Sequence, residues 1–200
     1  PGLAEATDLI GSTQVQGRAT LSGNLCNASP GADSVPALIA CNARVVIAGP
    51  NGEREVEAED FTTSPGTTVL QRGEFVVEFK IPTPDAHASD AYLRLIPRTE
   101  MDIAVVGAGV ALSLDEGGVV TAARVVLGAV APKAIRVKAA EAALIGSILD
   151  ASALEAAGAA ATAAAIPIDD KRGTVAYRKR ISGVLTRRAA SIAYERARNR

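Results

Sequence analysis

Two long apolar stretches near the middle of the chain constrain its fold more than any other feature. They cover residues 104–114 and 119–130, and only the tetrapeptide Asp115-Glu-Gly-Gly118 separates them. Two such stretches joined by a short glycine-containing turn are typical of an antiparallel β-hairpin. Neither reaches the roughly 20 apolar residues that a membrane-spanning helix needs. The sequence therefore predicts a buried hairpin and no membrane span.

Strand and helix signals surround this hairpin. A further strand is predicted at residues 92–96 and an alanine-rich helix at residues 137–145. A second helix is expected to begin at the capping box Ser152-Ala-Leu-Glu155, and a third at Thr174. In the third helix apolar residues recur at helical spacing, so that one face is expected to pack inward. These residues are Tyr177, Ile181, Val184, Leu185 and Ile192. The second half is thus predicted to be a three-stranded antiparallel sheet with three helices.

The first half shows weaker patterns. Glycine, proline and polar residues dominate the first forty positions, which are predicted to be mostly loop. A short helix is expected at residues 35–41, with Ser34 as its cap. A strand, a turn and a second strand are expected over residues 44–58, a loop over 61–73 and a strand over 75–81. The Pro-rich polar stretch at 82–90 is the predicted boundary between domains at residues 1–82 and 83–200.

Composition excludes several classes of function. The formal net charge is −1 and aromatic residues make up 3% of the chain, without tryptophan, which disfavours nucleic-acid binding. With one histidine and with Cys26 and Cys41 fifteen positions apart, neither a zinc site nor a redox pair is indicated, and free thiols in a reducing cytoplasm are expected. Ten Lys or Arg residues lie in the last thirty positions, against one Glu. They favour a solvated helix face or docking to an acidic partner over nucleic-acid binding.

Residues 20–34, TLSGNLCNASPGADS, form the most informative segment. Its small residues let a ligand approach the backbone, and successive N–H groups in such a turn can cradle a pyrophosphate. Asn24 and Asp33 could bind hydroxyl groups of a ribose or ribityl chain. A tight turn in which Asn and Asp satisfy their own backbone explains the same residues. Both interpretations stay open on the residues alone.

Five motifs in series carry a resemblance to one family. The segment QVQGRATLSGNLCNASPGADS, which ends at Ser34, resembles the second flavin-contacting motif of the medium subunits of molybdenum hydroxylases, the family of xanthine dehydrogenase and aerobic carbon-monoxide dehydrogenase. Four later motifs resemble that family in the same order. They are DF with SPGT from Asp60, RTEMDIA from Arg98, LGAVAP from Leu127, and PIDDKRG with YR from Pro167.

The resemblance implies an α+β protein with two parts. Residues 1–82 would be a partial FAD-binding α/β subdomain of the PCMH type, and residues 83–200 the family's flavoprotein C-terminal domain. It also implies a cytoplasmic electron-transfer subunit of an oxidoreductase, in which FAD takes electrons from an iron–sulfur small subunit and passes them to NAD, a quinone or oxygen. Substrate chemistry would occur at a molybdopterin cofactor on a large subunit. The alternative is a flavin-free module that only assembles these partners.

Site residues follow from the same resemblance. Thr20, Ser22, Gly23 and Asn24 correspond to positions near the pyrophosphate, and Asp33 to an acidic position near the FAD sugar chain. Phe75 and Val76 correspond to apolar positions at the flavin or adenine. Arg94 corresponds to a basic residue near the flavin ring, and a solvated charge on an edge strand is the equal alternative. No catalytic or metal-ligating residue is predicted.

Departures from the family pattern weaken the expected FAD site. The family's first glycine-rich motif, which belongs to an N-terminal FAD subdomain, is absent from this sequence. Gln16-Gly17 replaces Arg-Asn, Ala19 replaces a glycine, and Ser22 replaces the first glycine of a pair. If position 22 has positive φ, its side chain strains the loop by about 1–2 kcal/mol. Weak FAD binding by this chain alone, improved by Ser22→Gly, is therefore expected.

Overall fold

The computed structural model describes residues 1–200, and four short helices occupy the first forty positions, where loops and one short helix were expected. They are α1 (Gly2–Asp8), α2 (Thr13–Gln16), α3 (Leu21–Cys26) and α4 (Ser34–Ala40). Every residue of α4 is buried, so tertiary packing stabilises a helix too short to be stable alone. The expected cap, Ser34, is instead the first helical residue, and Asp33 occupies the capping position. The short helix predicted at residues 35–41 is confirmed as α4, whereas α1, α2 and α3 were expected to be loop, because glycine content measures local propensity and not burial.

A small antiparallel sheet follows in the order β2-β1-β5. The elements of this region are β1 (Arg44–Gly49), β2 (Gly52–Glu57), α5 (Ala58–Phe61), β3 (Thr62–Ser64), β4 (Thr67–Thr68) and β5 (Phe75–Lys80). The predicted hairpin over residues 44–58 and the strand over 75–81 are confirmed. The predicted loop over 61–73 contains the minor pair β3–β4.

The second half forms a four-stranded antiparallel sheet in the order β6-β7-β8-β9. Its strands are β6 (Ala88–Leu95), β7 (Val106–Leu114), β8 (Val120–Gly128) and β9 (Ile135–Arg136). The central hairpin is confirmed, with Val110 opposite Val125. The two-residue strand β9 adds to the three strands predicted. Strand β6 begins at Ala88, inside the stretch proposed as a linker.

Three helices complete the chain, as predicted. They are α6 (Lys138–Leu144), α7 (Ala151–Ala164) and α8 (Val175–Arg198). Thr174 caps α8 by accepting a hydrogen bond from the Tyr177 N–H at 3.2 Å. Asp150, and not Ser152, caps α7, accepting from the Ala153 N–H at 2.8 Å.

The buried face of α8 consists mainly of small residues, whereas large apolar ones were expected. Of the residues predicted to face inward, Leu185 is buried, Ile181 and Ile192 are partly buried against the core, and Tyr177 is 44% exposed. The buried positions include Ser182, Gly183, Thr186, Ala189, Ala190, Ala193 and Ala197. Small side chains let α8 approach α7 and the sheet closely, which explains how an alanine-rich chain fills its core.

The β6–β9 sheet lies between two helical layers. Helices α6–α8 cover one face and α4 packs on the other. A Cβ atom on Gly109 of β7 would lie 2.9 Å from the Pro36 carbonyl oxygen. The absence of a side chain at Gly109 therefore permits α4 to approach β7 closely. Val126 of β8 belongs to the core that α4 shares with the β2-β1-β5 sheet. The two halves are therefore packed against each other through α4.

Three kinds of feature are absent from the structure. No helix is both long enough and apolar enough to cross a bilayer. Cys26 and Cys41 form no disulfide. No group of His, Cys, Asp and Glu side chains is arranged to hold a metal ion.

Candidate functional site

The segment at residues 20–34 is a turn of helix, a loop and the start of α4, held by its own side chains. Thr20 Oγ1 accepts a hydrogen bond from the Gly23 N–H at 2.9 Å. Asn24 Oδ1 accepts from the Ser34 hydroxyl at 2.7 Å and from the Ser34 N–H at 3.3 Å. The amide oxygen of Asn24 therefore ties the two ends of the segment together and leaves Ser22 and Gly23 at the surface.

The residues that precede Asn24 present an open, polar surface. Residues 13–20 are all exposed, and Arg18 is the only charged residue among positions 9–24. The N–H groups of Leu21 and Ser22 donate to no protein atom. Free N–H donors in a segment whose only charge is the positive Arg18 suit an anionic group such as a pyrophosphate.

Asp33 closes the segment and is bonded to two residues of β6. Its Oδ1 accepts from the Tyr92 hydroxyl at 3.1 Å, and its Oδ2 accepts from Arg94 Nη1 at 2.7 Å. The side chains of Asp33 and Arg94 are 9% and 5% exposed. Arg94 also donates to the Leu9 carbonyl oxygen at 2.9 Å. Because Arg94 is buried and paired, its interpretation as a solvated charge is wrong.

Burial and charge act in opposite directions on this cluster. Burial raises the pKa of Asp33, while the Arg94 charge and the hydrogen bonds from Tyr92 and Arg94 act to lower it. Burial, followed by the negative charge of Asp33, raises the pKa of Tyr92 well above its ordinary value. Tyr92 is therefore a hydrogen-bond donor and not a phenolate.

The loop between α3 and α4 packs against three other segments, which contain Gly66, Ile103 and Ala129. Ala28 and Ala129 have left-handed backbones, with φ of 49° and 63°. The Gly66 N–H donates to the Ala28 carbonyl oxygen at 3.0 Å, and the Ala129 N–H to that of Pro30 at 2.7 Å. The side chain of Ile103 lies against Gly31, where a Cβ atom would be 2.7 Å from Ile103 Cγ2.

No spacing or periodicity in the sequence indicates that these residues are neighbours. Gly66, Ile103 and Ala129 do each belong to a motif of the family resemblance. The structure shows that these motifs meet around the loop at 28–31, although they are far apart in the sequence.

Phe75 and Val76 lie apart from the other predicted site residues. They pair with Ala48 and Ile47 in the β2-β1-β5 sheet, and neither is hydrogen-bonded to residues 20–34. Phe75 is 60% exposed and Val76 packs against the core of that sheet. The structure thus brings together six of the eight predicted residues. They are Thr20, Ser22, Gly23, Asn24, Asp33 and Arg94.

Two family models match the chain. The FAD binding domain in molybdopterin dehydrogenase matches residues 1–84, and the CO dehydrogenase flavoprotein C-terminal domain matches residues 91–193. The chain belongs to the family of molybdenum hydroxylase FAD-binding subunits. FAD is the cofactor of this family, so the matches confirm the predicted family and cofactor.

Individual relatives agree with this membership. The carbon monoxide dehydrogenase medium chain of Hydrogenophaga pseudoflava is 35% identical over 196 residues, which cover 98% of this chain and 68% of the relative. A putative xanthine dehydrogenase FAD-binding subunit of Escherichia coli K12 is 30% identical over 192 residues, which cover 96% of this chain and 65% of the relative. The relatives are named as chains or subunits of oxidoreductases.

Solved structures confirm the α+β fold. Carbon monoxide dehydrogenase from Hydrogenophaga pseudoflava, in a form that lacks the Mo-pyranopterin moiety of its cofactor, matches with a TM-score of 0.93 and 38% identity. That match covers 98% of this chain and 68% of the matched chain. Quinoline 2-oxidoreductase from Pseudomonas putida 86 matches with a TM-score of 0.87 and 30% identity, over 97% and 67% of the two chains.

Proposed function

We propose that this chain holds FAD within a multi-subunit molybdenum hydroxylase and serves there as the electron-transfer subunit. The open polar surface at residues 13–24, inside the region that matches the FAD-binding domain, is the observation that carries the proposal. FAD, when bound, supplies the redox chemistry by taking electrons from an iron–sulfur subunit and passing them to NAD, a quinone or oxygen.

The described residues fit an FAD pyrophosphate. The free N–H groups of Leu21 and Ser22 and the Ser22 hydroxyl would donate to it, and Gly23 lets it approach the backbone. Thr20 and Asn24 hold this surface through the hydrogen bonds described above. The exposed ring of Phe75, supported by Val76, remains a candidate contact for the flavin or adenine ring.

Asp33 and Arg94 differ in role from these contacts. Both carboxylate oxygens of Asp33 and the guanidinium of Arg94 already have protein partners. We assign them to holding the segment in place, and they would meet FAD only along the narrow edge that stays exposed.

Partner subunits would complete the enzyme. Two relatives are named medium chains of carbon monoxide dehydrogenase. By analogy, a molybdopterin-binding large subunit and an iron–sulfur small subunit would flank this chain. Exposed Arg180 and Arg188 of α8 form no salt bridge and offer positive charge to an acidic partner surface. The free thiols of Cys26 and Cys41 support a cytoplasmic location.

The test is FAD titration of the native protein, followed by flavin fluorescence, with the variant Ser22→Asp. A carboxylate early in α3 is compatible with the helix, so that the fold is kept. It would repel the pyrophosphate by on the order of 1–4 kcal/mol and weaken FAD binding about fivefold or more.

Asn51→Asp is the matched control, because it adds the same charge at the exposed turn between β1 and β2. We expect its FAD affinity to stay within about twofold of the wild type. Equal affinity of the wild type and Ser22→Asp would refute the assigned site. A colourless protein that still assembles with its partners would support the alternative of a flavin-free assembly module.

A further inference from the structure

Tyr92 belongs to none of the family motifs, yet its phenol is buried against the candidate FAD segment. The residue is 3% exposed and its hydroxyl donates to Asp33 Oδ1 at 3.1 Å. On the neighbouring strand, Gly107 provides the space for the ring, because a Cβ atom there would lie 2.6 Å from the Tyr92 hydroxyl oxygen. The Tyr92 ring therefore fits because position 107 of β7 carries no side chain.

Tyr92 and Arg94 act from the same face of one strand. Residues two positions apart on a β-strand point to the same side, and both of these donate to Asp33. Arg94 also donates to the carbonyl oxygen of Leu9, the C-cap residue directly after α1. Strand β6 thus holds Asp33, at the end of the site segment, and Leu9, directly after α1.

Hydrogen bonds and chain neighbours together connect β6 to the surface of the site. Asp33 is adjacent to Ser34, and Ser34 donates to Asn24 through its hydroxyl and its N–H. Asn24 follows Ser22 and Gly23, the residues assigned to the pyrophosphate. Loosening Asp33 would therefore loosen the backbone that meets the cofactor.

We propose that Tyr92, together with Arg94, is a positioning residue for FAD. It does not touch the cofactor, but it holds residues 20–33 in the conformation that binds. The inference rests on the proposed function. A segment held in its binding conformation binds more tightly than one that must become ordered, because the loss of conformational entropy precedes binding.

The experiment compares Tyr92→Phe with Tyr194→Phe in the native protein. Each variant loses one tyrosine hydroxyl that donates a single hydrogen bond, since Tyr194 donates to the Gly118 carbonyl oxygen at 2.7 Å in the second half. We expect both to lower the midpoint of thermal unfolding. Tyr92→Phe is expected to weaken FAD binding about tenfold, equivalent to about 1.4 kcal/mol, and Tyr194→Phe less than about twofold.

A second measurement needs no cofactor. Amide hydrogen exchange without FAD is expected to accelerate at residues 20–33 in Tyr92→Phe and to stay at the wild-type rate there in Tyr194→Phe. Unchanged exchange in that segment would overturn the positioning role. If the wild type binds FAD and Tyr92→Phe binds it equally well, only the positioning role fails. A wild type without FAD affinity overturns the proposed function as well.

Discussion

The guanidinium of Arg178, on α8, donates to the carbonyl oxygen of Val105 at 2.8 Å, inside the protein. Its side chain is 4% exposed and also lies 2.6 Å from Asp170 Oδ1. Arg178 is one of the ten basic residues expected on a solvated helix face or at an acidic partner, and for this residue the expectation of a solvated charge is wrong. Burial of this charge is possible because carbonyl and carboxylate oxygens surround it.

Replacing Arg178 should therefore be costly. Arg178→Met removes the buried partner of Asp170 and of the Val105 carbonyl, and we expect a loss of about 3–5 kcal/mol in the free energy of unfolding. Arg180→Met, an exposed position two residues along the same helix, should change it by less than about 0.5 kcal/mol. Urea unfolding of both variants measures the difference, and equal losses would contradict the burial of Arg178.

Gly183 should tolerate no side chain, because α7 and α8 approach each other there. A Cβ atom at Gly183 would lie 2.7 Å from the Gly158 carbonyl oxygen and 2.5 Å from Thr162 Oγ1. We expect Gly183→Ala to destabilise the protein by about 1–3 kcal/mol. In the control, Gly17→Ala, the new Cβ atom meets nothing within 4 Å at φ −64°, and stability should rise by about 0.4–1 kcal/mol. Thermal unfolding that ranks the two variants the other way would refute the close packing.

Ser22→Gly should not improve FAD binding, contrary to the expectation from the family pattern. That expectation required a positive φ, whereas Ser22 is a residue of α3 and is not among the left-handed positions. Glycine in a helix costs roughly 0.5–1 kcal/mol relative to alanine, so that Ser22→Gly should be less stable than Ser22→Ala. Tighter FAD binding by Ser22→Gly than by the wild type would show that the segment changes shape when it binds.

Glu74 should make the stability of the first sheet sensitive to acid. Hydrogen bonds from Arg54 and from the Gln71 N–H lower its pKa from 4.5 to about 2. A lowered carboxyl pKa means that the folded state favours the ionised form, so this contribution is present above about pH 4.5 and is lost as the pH falls toward 2. Glu74→Gln should lose that part of the acid dependence. Glu116→Gln, at an exposed turn without an ion pair, should keep it, and the pH dependence of urea midpoints measures both.

The boundary between residues 82 and 83 remains a prediction that proteolysis can test. Residues 81–86 are all exposed and lie between β5 and β6. We expect proteinase K to cut there first and the two fragments to stay associated, since α1 and α4 pack on the second-half sheet. A first cut within β7 or β8 would argue against this boundary.

Local signals in the sequence determined much of the framework. Turn residues and apolar runs predicted the β1–β2 and β7–β8 hairpins, and the Thr174 cap marked the start of α8. These signals act between residues close in sequence, so neighbouring residues suffice to read them. The family motifs indicated FAD as the cofactor, although they could not show that Gly66, Ile103 and Ala129 surround the loop at residues 28–31.

Only the tertiary structure decided the helices α1 to α3 and the state of the buried charges. Local signals predicted α4, but they did not show that every one of its residues is buried, and that burial stabilises so short a helix. Asp33 and Arg94 are 61 positions apart, and either alone would be read as a surface charge. Each can be buried only because the fold supplies the other, and a partner so distant in sequence leaves no trace in the local pattern.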